Sequence, residues 1–165
     1  MYRVYVSGRL KDELQLKQLR DYLWVCINAS EYYKKKEPHI TIVPAFNVKD
    51  DDIDDVKDVI RNIRFDGESV AINTLSVYEN IHKPYVVQLD IEYSIESKID
   101  ALISQLSKYA TNGIKYPNDP HITLFKTQGW WDTIPLDKRR RLQKEISSTT
   151  GILDTEISSI KIEVR

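Results

Sequence analysis

The chain has 165 residues, of which 41% are hydrophobic and 30% are charged, and its formal net charge is −1. This length is enough for one domain with a substantial core, and the near-zero charge excludes a global basic field for nucleic acid. A single cysteine, Cys26, excludes an internal disulfide and a metal site built on cysteines, and no apolar run approaches the roughly 20 residues that span a bilayer. We therefore expect one cytoplasmic domain over residues 1–165, without membrane association.

The first half of the chain, about residues 1–80, reads as strand, helix, strand, helix, strand, from alternating and helical spacing of its apolar residues. The predicted elements are a strand over 2–7 ended by Gly8, a helix from Asp12 to about Asn28, a strand over 38–43, a helix over 53–63 and a strand over 70–78. The acid-rich segment 50–55 is better suited to a solvated helix start than to a calcium loop.

The second half, about residues 81–165, repeats this order. Its predicted elements are a strand over 85–91 pairing with the one before it, a helix from Ile95 to Tyr109, a strand over 120–125, a short helix starting at Pro135 and a strand over 159–164. The repeat predicts an α+β, bilobal fold with an approximate two-fold axis. In this fold two antiparallel sheets face a central cleft, helices lie on the outside, and the lobes exchange strands within one domain.

One tetrapeptide occurs in the central strand of each half: Pro-His-Ile-Thr at 38–41 and again at 120–123. Two of the three histidines of the chain lie in these copies. Because residues i and i+2 of a strand share a face, His39 projects with Thr41, and His121 projects with Thr123. Each motif strand thus offers an imidazole and a hydroxyl on one side, and we expect the two strands to face each other across the cleft.

Paired imidazoles of this kind suit acid–base chemistry at a phosphorus centre without a metal. Imidazole titrates near pH 6.5, so one ring can accept a proton while the other donates one. The threonine hydroxyls can donate to non-bridging phosphate oxygens. Two alternatives remain: histidines that only fill strand positions, and a zinc site. Zinc requires a third and a fourth ligand, and neither motif has a cysteine or a carboxylate two positions after its histidine.

The paired motifs resemble those of the two-histidine phosphoesterase superfamily, which includes the LigT-type 2′-5′ RNA ligases and 2′,3′-cyclic nucleotide phosphodiesterases. The family pattern is His-x-Thr twice, each followed by an apolar residue, and both His39-Ile40-Thr41-Ile42 and His121-Ile122-Thr123-Leu124 match it. Lys126 stands where the second family motif often has a basic residue. The resemblance spans nearly the whole chain, since the order of strands and helices also fits that bilobal fold.

Other residues are candidates for substrate binding. Trp130 and Trp131 follow the second motif and suit base stacking, with packing on the core as the alternative. Lys36, at the end of a lysine run before the first motif, and Lys126 can attract a polyanion, whereas a solvated surface is the simpler interpretation of the run. Tyr5 points away from its apolar neighbours and is a candidate to line the cleft.

The sequence and the resemblance together imply a metal-independent phosphodiesterase. The expected substrates are nucleotides or short RNA and other oligonucleotides with a 2′,3′-cyclic phosphate or a 2′-5′ or 3′-5′ linkage. His39 and His121 are expected as acid and base, without a cofactor, in a monomer. Two alternatives stay open: a phage-type enzyme that degrades cyclic oligonucleotide second messengers, and a non-catalytic module that binds RNA or a nucleotide.

Overall fold

Strands and helices of both halves are present in the computed structural model, which describes residues 1–26, 37–78, 85–117, 119–127, 135–138, 140–141, 144 and 154–165. In chain order the elements are β1 (Tyr2–Leu10), α1 (Glu13–Cys26), β2 (His39–Val48), α2 (Ile53–Arg61), β3 (Ser69–Tyr78), β4 (Tyr85–Tyr93), α3 (Glu96–Leu106), β5 (His121–Thr127) and β6 (Asp154–Val164). A single 3-10 turn over Asp50–Asp52 precedes α2. Of the helix predicted after Pro135, residues 136–138, 140–141 and 144 are described as helical.

The described strands form one closed barrel in the order β1-β2-β5-β4-β3-β6. All of the strand pairs are antiparallel. The predicted fold of two antiparallel sheets facing a central cleft is therefore wrong. The physical reason is that β2 pairs directly with β5, while β6 bridges β1 and β3, so backbone hydrogen bonds run around the whole sheet and leave no gap between halves.

The repeat seen in the sequence survives in the strand order rather than in two sheets. If β1, β2 and β3 are exchanged with β4, β5 and β6 respectively, every pair of neighbours in the barrel is retained. The two motif strands, β2 and β5, are therefore immediate neighbours and do not face each other across a cleft. This pairing joins the two halves of the chain at the motifs.

The helices cover one face of the sheet and leave the other to polar side chains. α1 lies against β5 and α3 lies against β2. The buried residues on this apolar face and on the helices belong to one core, which includes Val4, Val6, Ile40, Ile42, Ile122, Leu124, Leu16, Ile99 and Leu102. A helix with its side chains is about 10–12 Å wide, too wide for the inside of a six-stranded barrel, so the helices lie outside. The opposite, polar face of the strands is therefore the concave one.

Gly8 does not end β1, as the sequence suggested, because the strand continues to Leu10. Gly8 is paired with Ile40 of the motif strand. A Cβ atom at Gly8 would lie 2.9 Å from Cγ1 of Ile40, closer than such atoms approach. The glycine thus serves close packing of β1 against β2, a recognised role for glycine inside a strand.

The described helices include none that combines the length and apolarity that a bilayer crossing requires.

Candidate active site

The two motifs lie side by side on neighbouring antiparallel strands. His39 in β2 is opposite Thr123 in β5. Continuing this register sets Thr41 opposite His121, because paired residue numbers in an antiparallel ladder have a constant sum. Paired residues, and residues two apart, share a face of a sheet. Both histidines and both threonines therefore project from the concave face, although they do so within one sheet and not from two.

The two histidines are diagonal neighbours in this register. Diagonal positions across an antiparallel pair are roughly 7–8 Å apart, within reach of long side chains. At this spacing the two imidazoles are close enough for both to contact one small group. His39, Thr41, His121 and Thr123 are all half-buried, while the isoleucine inside each motif is buried on the opposite face. The four polar side chains are thus reachable from solvent yet held on a rigid strand pair.

Both imidazoles are oriented by the same type of backbone contact. Nδ1 of His39 lies 2.7 Å from the carbonyl oxygen of Glu37, and Nδ1 of His121 lies 2.7 Å from that of Asp119. A carbonyl oxygen only accepts hydrogen bonds, so Nδ1 carries the proton in both rings. Nε2 is then the ring nitrogen that is able to accept a proton. Such a contact to the second ring nitrogen is what fixes the tautomer of a functional histidine.

The segment that supplies the carbonyl for His39 is tied to α1. Lys17 on α1 contacts the carboxylate of Glu37 at 3.0 Å, and Arg9 of β1 contacts it at 3.5 Å. Lys17 and Arg9 also both pair with Glu13 at the start of the helix. These exposed ion pairs contribute little stability individually, but together they restrict the position of the residue whose carbonyl orients His39.

Tyr5 bridges the histidine and the threonine of the first motif. Its hydroxyl lies 3.1 Å from Nε2 of His39 and 2.8 Å from Oγ1 of Thr41. The rings of Tyr5 and His39 meet edge to face at 88°. Burial raises the pKa of the Tyr5 phenol, the hydrogen bond with Thr41 opposes this, and the negative charge of Glu163 adds to the increase. The phenol therefore stays protonated at neutral pH and donates to Nε2 when His39 is neutral. Among the substrate-binding candidates whose side chains the structure describes, Tyr5 lies at the motifs.

Tyr5→Phe is expected to lower kcat for the phosphodiester hydrolysis expected from the sequence about 3- to 10-fold, because a neutral hydrogen bond contributes about 0.5–1.5 kcal/mol. Steady-state kinetics at neutral pH measures this effect, and Tyr2→Phe on the same strand is the matched control. Equal kinetics in both tyrosine variants would exclude a role for the Tyr5 hydroxyl.

The raised pKa of Tyr5 also predicts that the stability of the wild-type protein declines as pH rises above about 10, where tyrosine ionises in the unfolded chain. Urea denaturation at pH 9 and 11 should show a smaller decline in Tyr5→Phe.

Two further polar residues on the concave face were not predicted from the sequence. Gln88 and Asp90 of β4 are opposite Thr123 and His121 respectively. The signal that could have found them was the alternation in residues 85–91, whose apolar members were assigned to the core. Its polar members therefore share the face of the second motif.

The other predicted binding residues fall outside what the structure describes. Trp130, Trp131 and Lys36 lie outside the described residues. Lys126 is in β5 opposite Val86, but its side chain is not among those described. Within the described part of the chain, no group of three or more histidine, cysteine, aspartate or glutamate side chains is arranged to hold a metal ion.

Comparison with known proteins identifies the fold. No family model matches the chain, and no curated protein matches it significantly. The chain is similar to the solved structure of Usb1 from Kluyveromyces marxianus, with a TM-score of 0.58 and 13% identity, over 98% of this chain and 93% of that one. It is also similar to the structure of the same protein with uridine monophosphate, with a TM-score of 0.61, 13% identity and the same coverage. The chain therefore has the fold of these Usb1 structures over nearly its full length.

Proposed function

We propose that this protein is a two-histidine phosphoesterase that hydrolyses phosphodiesters of nucleotides or oligonucleotides without a metal ion. The observation that carries the proposal is the register of β2 and β5, which sets two His-x-Thr motifs on one concave face. The fold shared with Usb1, one structure of which contains uridine monophosphate, supports a nucleotide substrate. The proposed bonds are a 2′,3′-cyclic phosphate or a 2′-5′ or 3′-5′ linkage.

In the proposed reaction the phosphoryl group lies between Nε2 of His39 and Nε2 of His121. The neutral imidazole takes a proton from the attacking water or hydroxyl as the new P–O bond forms. The protonated imidazole gives its proton to the departing oxygen as the old P–O bond breaks. Each ring ends in the state that the other had at the start, and reverse proton exchange with solvent restores them.

Thr41 and Thr123 supply the donors for the non-bridging oxygens. Thr41 is opposite His121, and Thr123 is opposite His39. The two hydroxyls and the two rings therefore alternate around the proposed phosphorus position. Donors fixed in advance on paired strands stabilise developing charge without reorganisation at the moment of reaction. Oγ1 of Thr41 also lies 2.8 Å from the hydroxyl of Tyr5, which can donate to it when Nε2 of His39 is protonated and so leaves the Thr41 proton for the phosphate.

A panel of linear, 2′-5′-linked and 2′,3′-cyclic nucleotides, incubated with the full chain and excess EDTA, tests the proposal. We expect chelator-resistant turnover with a bell-shaped pH dependence of kcat/KM, since one histidine must be neutral and the other charged. Product identification by mass spectrometry fixes the linkage. Chelator-sensitive turnover contradicts a metal-independent reaction. Tight binding without turnover of any substrate supports a binding module instead.

A further inference from the structure

One carboxylate lies directly beside the proposed phosphate position. Asp90 of β4 is paired with His121 and is half-buried on the concave face. Its Oδ1 accepts hydrogen bonds from Oγ of Ser76 at 2.8 Å and from Nε2 of Gln88 at 3.1 Å. Its Oδ2 accepts one from Oγ1 of Thr74 at 3.2 Å. These donors belong to β3 and β4, so the sheet itself fixes the orientation of the carboxylate.

The Asp90 carboxylate retains capacity for a further donor. An ionised carboxylate has about four acceptor positions, and the three contacts from Ser76, Gln88 and Thr74 use three of them. The remaining one is on Oδ2, the oxygen with a single described contact. Gln88 is only 8% exposed, which restricts its motion and that of the group it holds.

Orientation of His121 does not explain this carboxylate. The contact that orients the ring runs from Nδ1 to the carbonyl oxygen of Asp119, at 2.7 Å. The described hydrogen bonds of Asp90 go to neutral donors on β3 and β4 and not to the imidazole. Asp90 is therefore built to face something other than the catalytic ring.

A carboxylate beside an anionic phosphodiester is unfavourable unless a donor lies between them, because like charges repel and a buried charge needs a partner. The nearest hydroxyl to a 3′-linked phosphodiester is the ribose 2′-hydroxyl on the adjacent carbon. A hydroxyl can donate to the carboxylate, while deoxyribose has only hydrogen at this position. The 2′-hydroxyl is also the group by which proteins distinguish RNA from DNA.

Resting on the proposed function, we propose that Asp90 accepts a hydrogen bond from the ribose 2′-hydroxyl next to a phosphate that is linked through the 3′-oxygen, and so selects ribonucleotides over deoxyribonucleotides among 3′-5′-linked substrates and 3′-phosphate products. Thr74, Ser76 and Gln88 position the carboxylate for this contact. Without the hydroxyl, a deoxyribonucleotide leaves the carboxylate facing the phosphate with no intervening donor. The selection therefore has two contributions: a hydrogen bond that only the ribonucleotide makes, and an electrostatic repulsion that only the deoxyribonucleotide experiences.

Binding of uridine 3′-monophosphate and its 2′-deoxy analogue, measured by calorimetry, separates this recognition from any chemical need for the 2′-hydroxyl. We expect the wild-type protein to bind the ribonucleotide roughly 10- to 100-fold more tightly, the range for a hydrogen bond to a charged group. In Asp90→Asn the ratio should fall to about 3 or less. Glu92→Gln, on the same strand two residues away, is the charge-matched control and should keep the wild-type ratio.

The second variant, Ser76→Ala, keeps the charge and removes one positioning donor, and it should lower the ratio several-fold even if Asp90→Asn fails to fold. A wild-type ratio near one, or a ratio that persists in Asp90→Asn, overturns the assignment. Diester turnover is assayed separately on the wild-type protein. If no diester is hydrolysed but the binding ratio behaves as described, the proposed function fails while the recognition by Asp90 stands.

Discussion

Replacing His39 or His121 by alanine is expected to reduce kcat for a phosphodiester by 10²- to 10⁴-fold, the usual contribution of a positioned acid or base. Each variant loses one Nε2 from the pair that brackets the proposed phosphate, while its threonines remain. The bell-shaped pH dependence should also lose one limb in each variant, because a single titrating ring is left. Initial rates with excess EDTA, measured across pH 5–9, test both effects.

The third histidine of the chain, His82, lies outside the motifs, and His82→Ala is the matched control. Thermal melting of all three variants separates lost chemistry from lost folding. The double variant at positions 39 and 121 should be little worse than either single one, since residues that act as a unit are strongly non-additive. Near wild-type turnover in either single motif variant would falsify the proposed mechanism.

Thr41→Val and Thr123→Val are expected to reduce kcat by on the order of 10²-fold each, as seen when one donor to a developing oxyanion is removed. Valine has nearly the shape of threonine, so the strand pair keeps its packing and only the hydroxyl is lost. The substrate KM should change much less than kcat, because the donors act mainly on the transition state. Thr41→Val also removes the contact with Tyr5 at 2.8 Å, which should make it the more affected of the two.

Serine at the same positions retains the hydroxyl, and Thr41→Ser and Thr123→Ser should therefore recover most of the activity. Steady-state kinetics on one 2′,3′-cyclic nucleotide allows all four variants to be compared. A loss in the serine variants together with near wild-type rates in the valine variants would assign the effect to the β-branched shape rather than to the hydroxyl.

Much of the local structure follows from the sequence. Apolar patterning predicted the presence of each described strand, although β2 ends five residues later and β6 begins five residues earlier than predicted. The apolar stripe of Ile53, Val56, Ile60 and Ile63 predicted α2, in which Val56 and Ile60 are buried. The His-x-Thr repeat predicted which side chains share a face, because a strand has a period of two. These predictions succeed since they depend on the spacing of neighbouring residues alone.

The arrangement of the strands does not follow in the same way. Hydrogen bonds between strands join backbone groups that are the same in every residue, so the pattern of a strand does not state which strand it pairs with. The sequence therefore did not reveal that β2 pairs with β5, nor that Asp90 lies beside His121. The sequence also led to the prediction that the first strand ends at Gly8. The close approach of Ile40, which explains this glycine, involves a strand distant in the chain.

The direct pairing of β2 with β5 sets the spacing of the two histidines that the proposed reaction uses. Neighbouring strands lie about 4.8 Å apart in any sheet, so the gap between the two imidazoles is a property of peptide geometry and not of a hinge. Natural or laboratory evolution can then replace side chains on β1, β3, β4 or β6 and present a different sugar or base to the same pair of rings. A fixed pair of phosphate-binding strands, surrounded by side chains that can be exchanged, would allow proteins with this fold to act on different substrates.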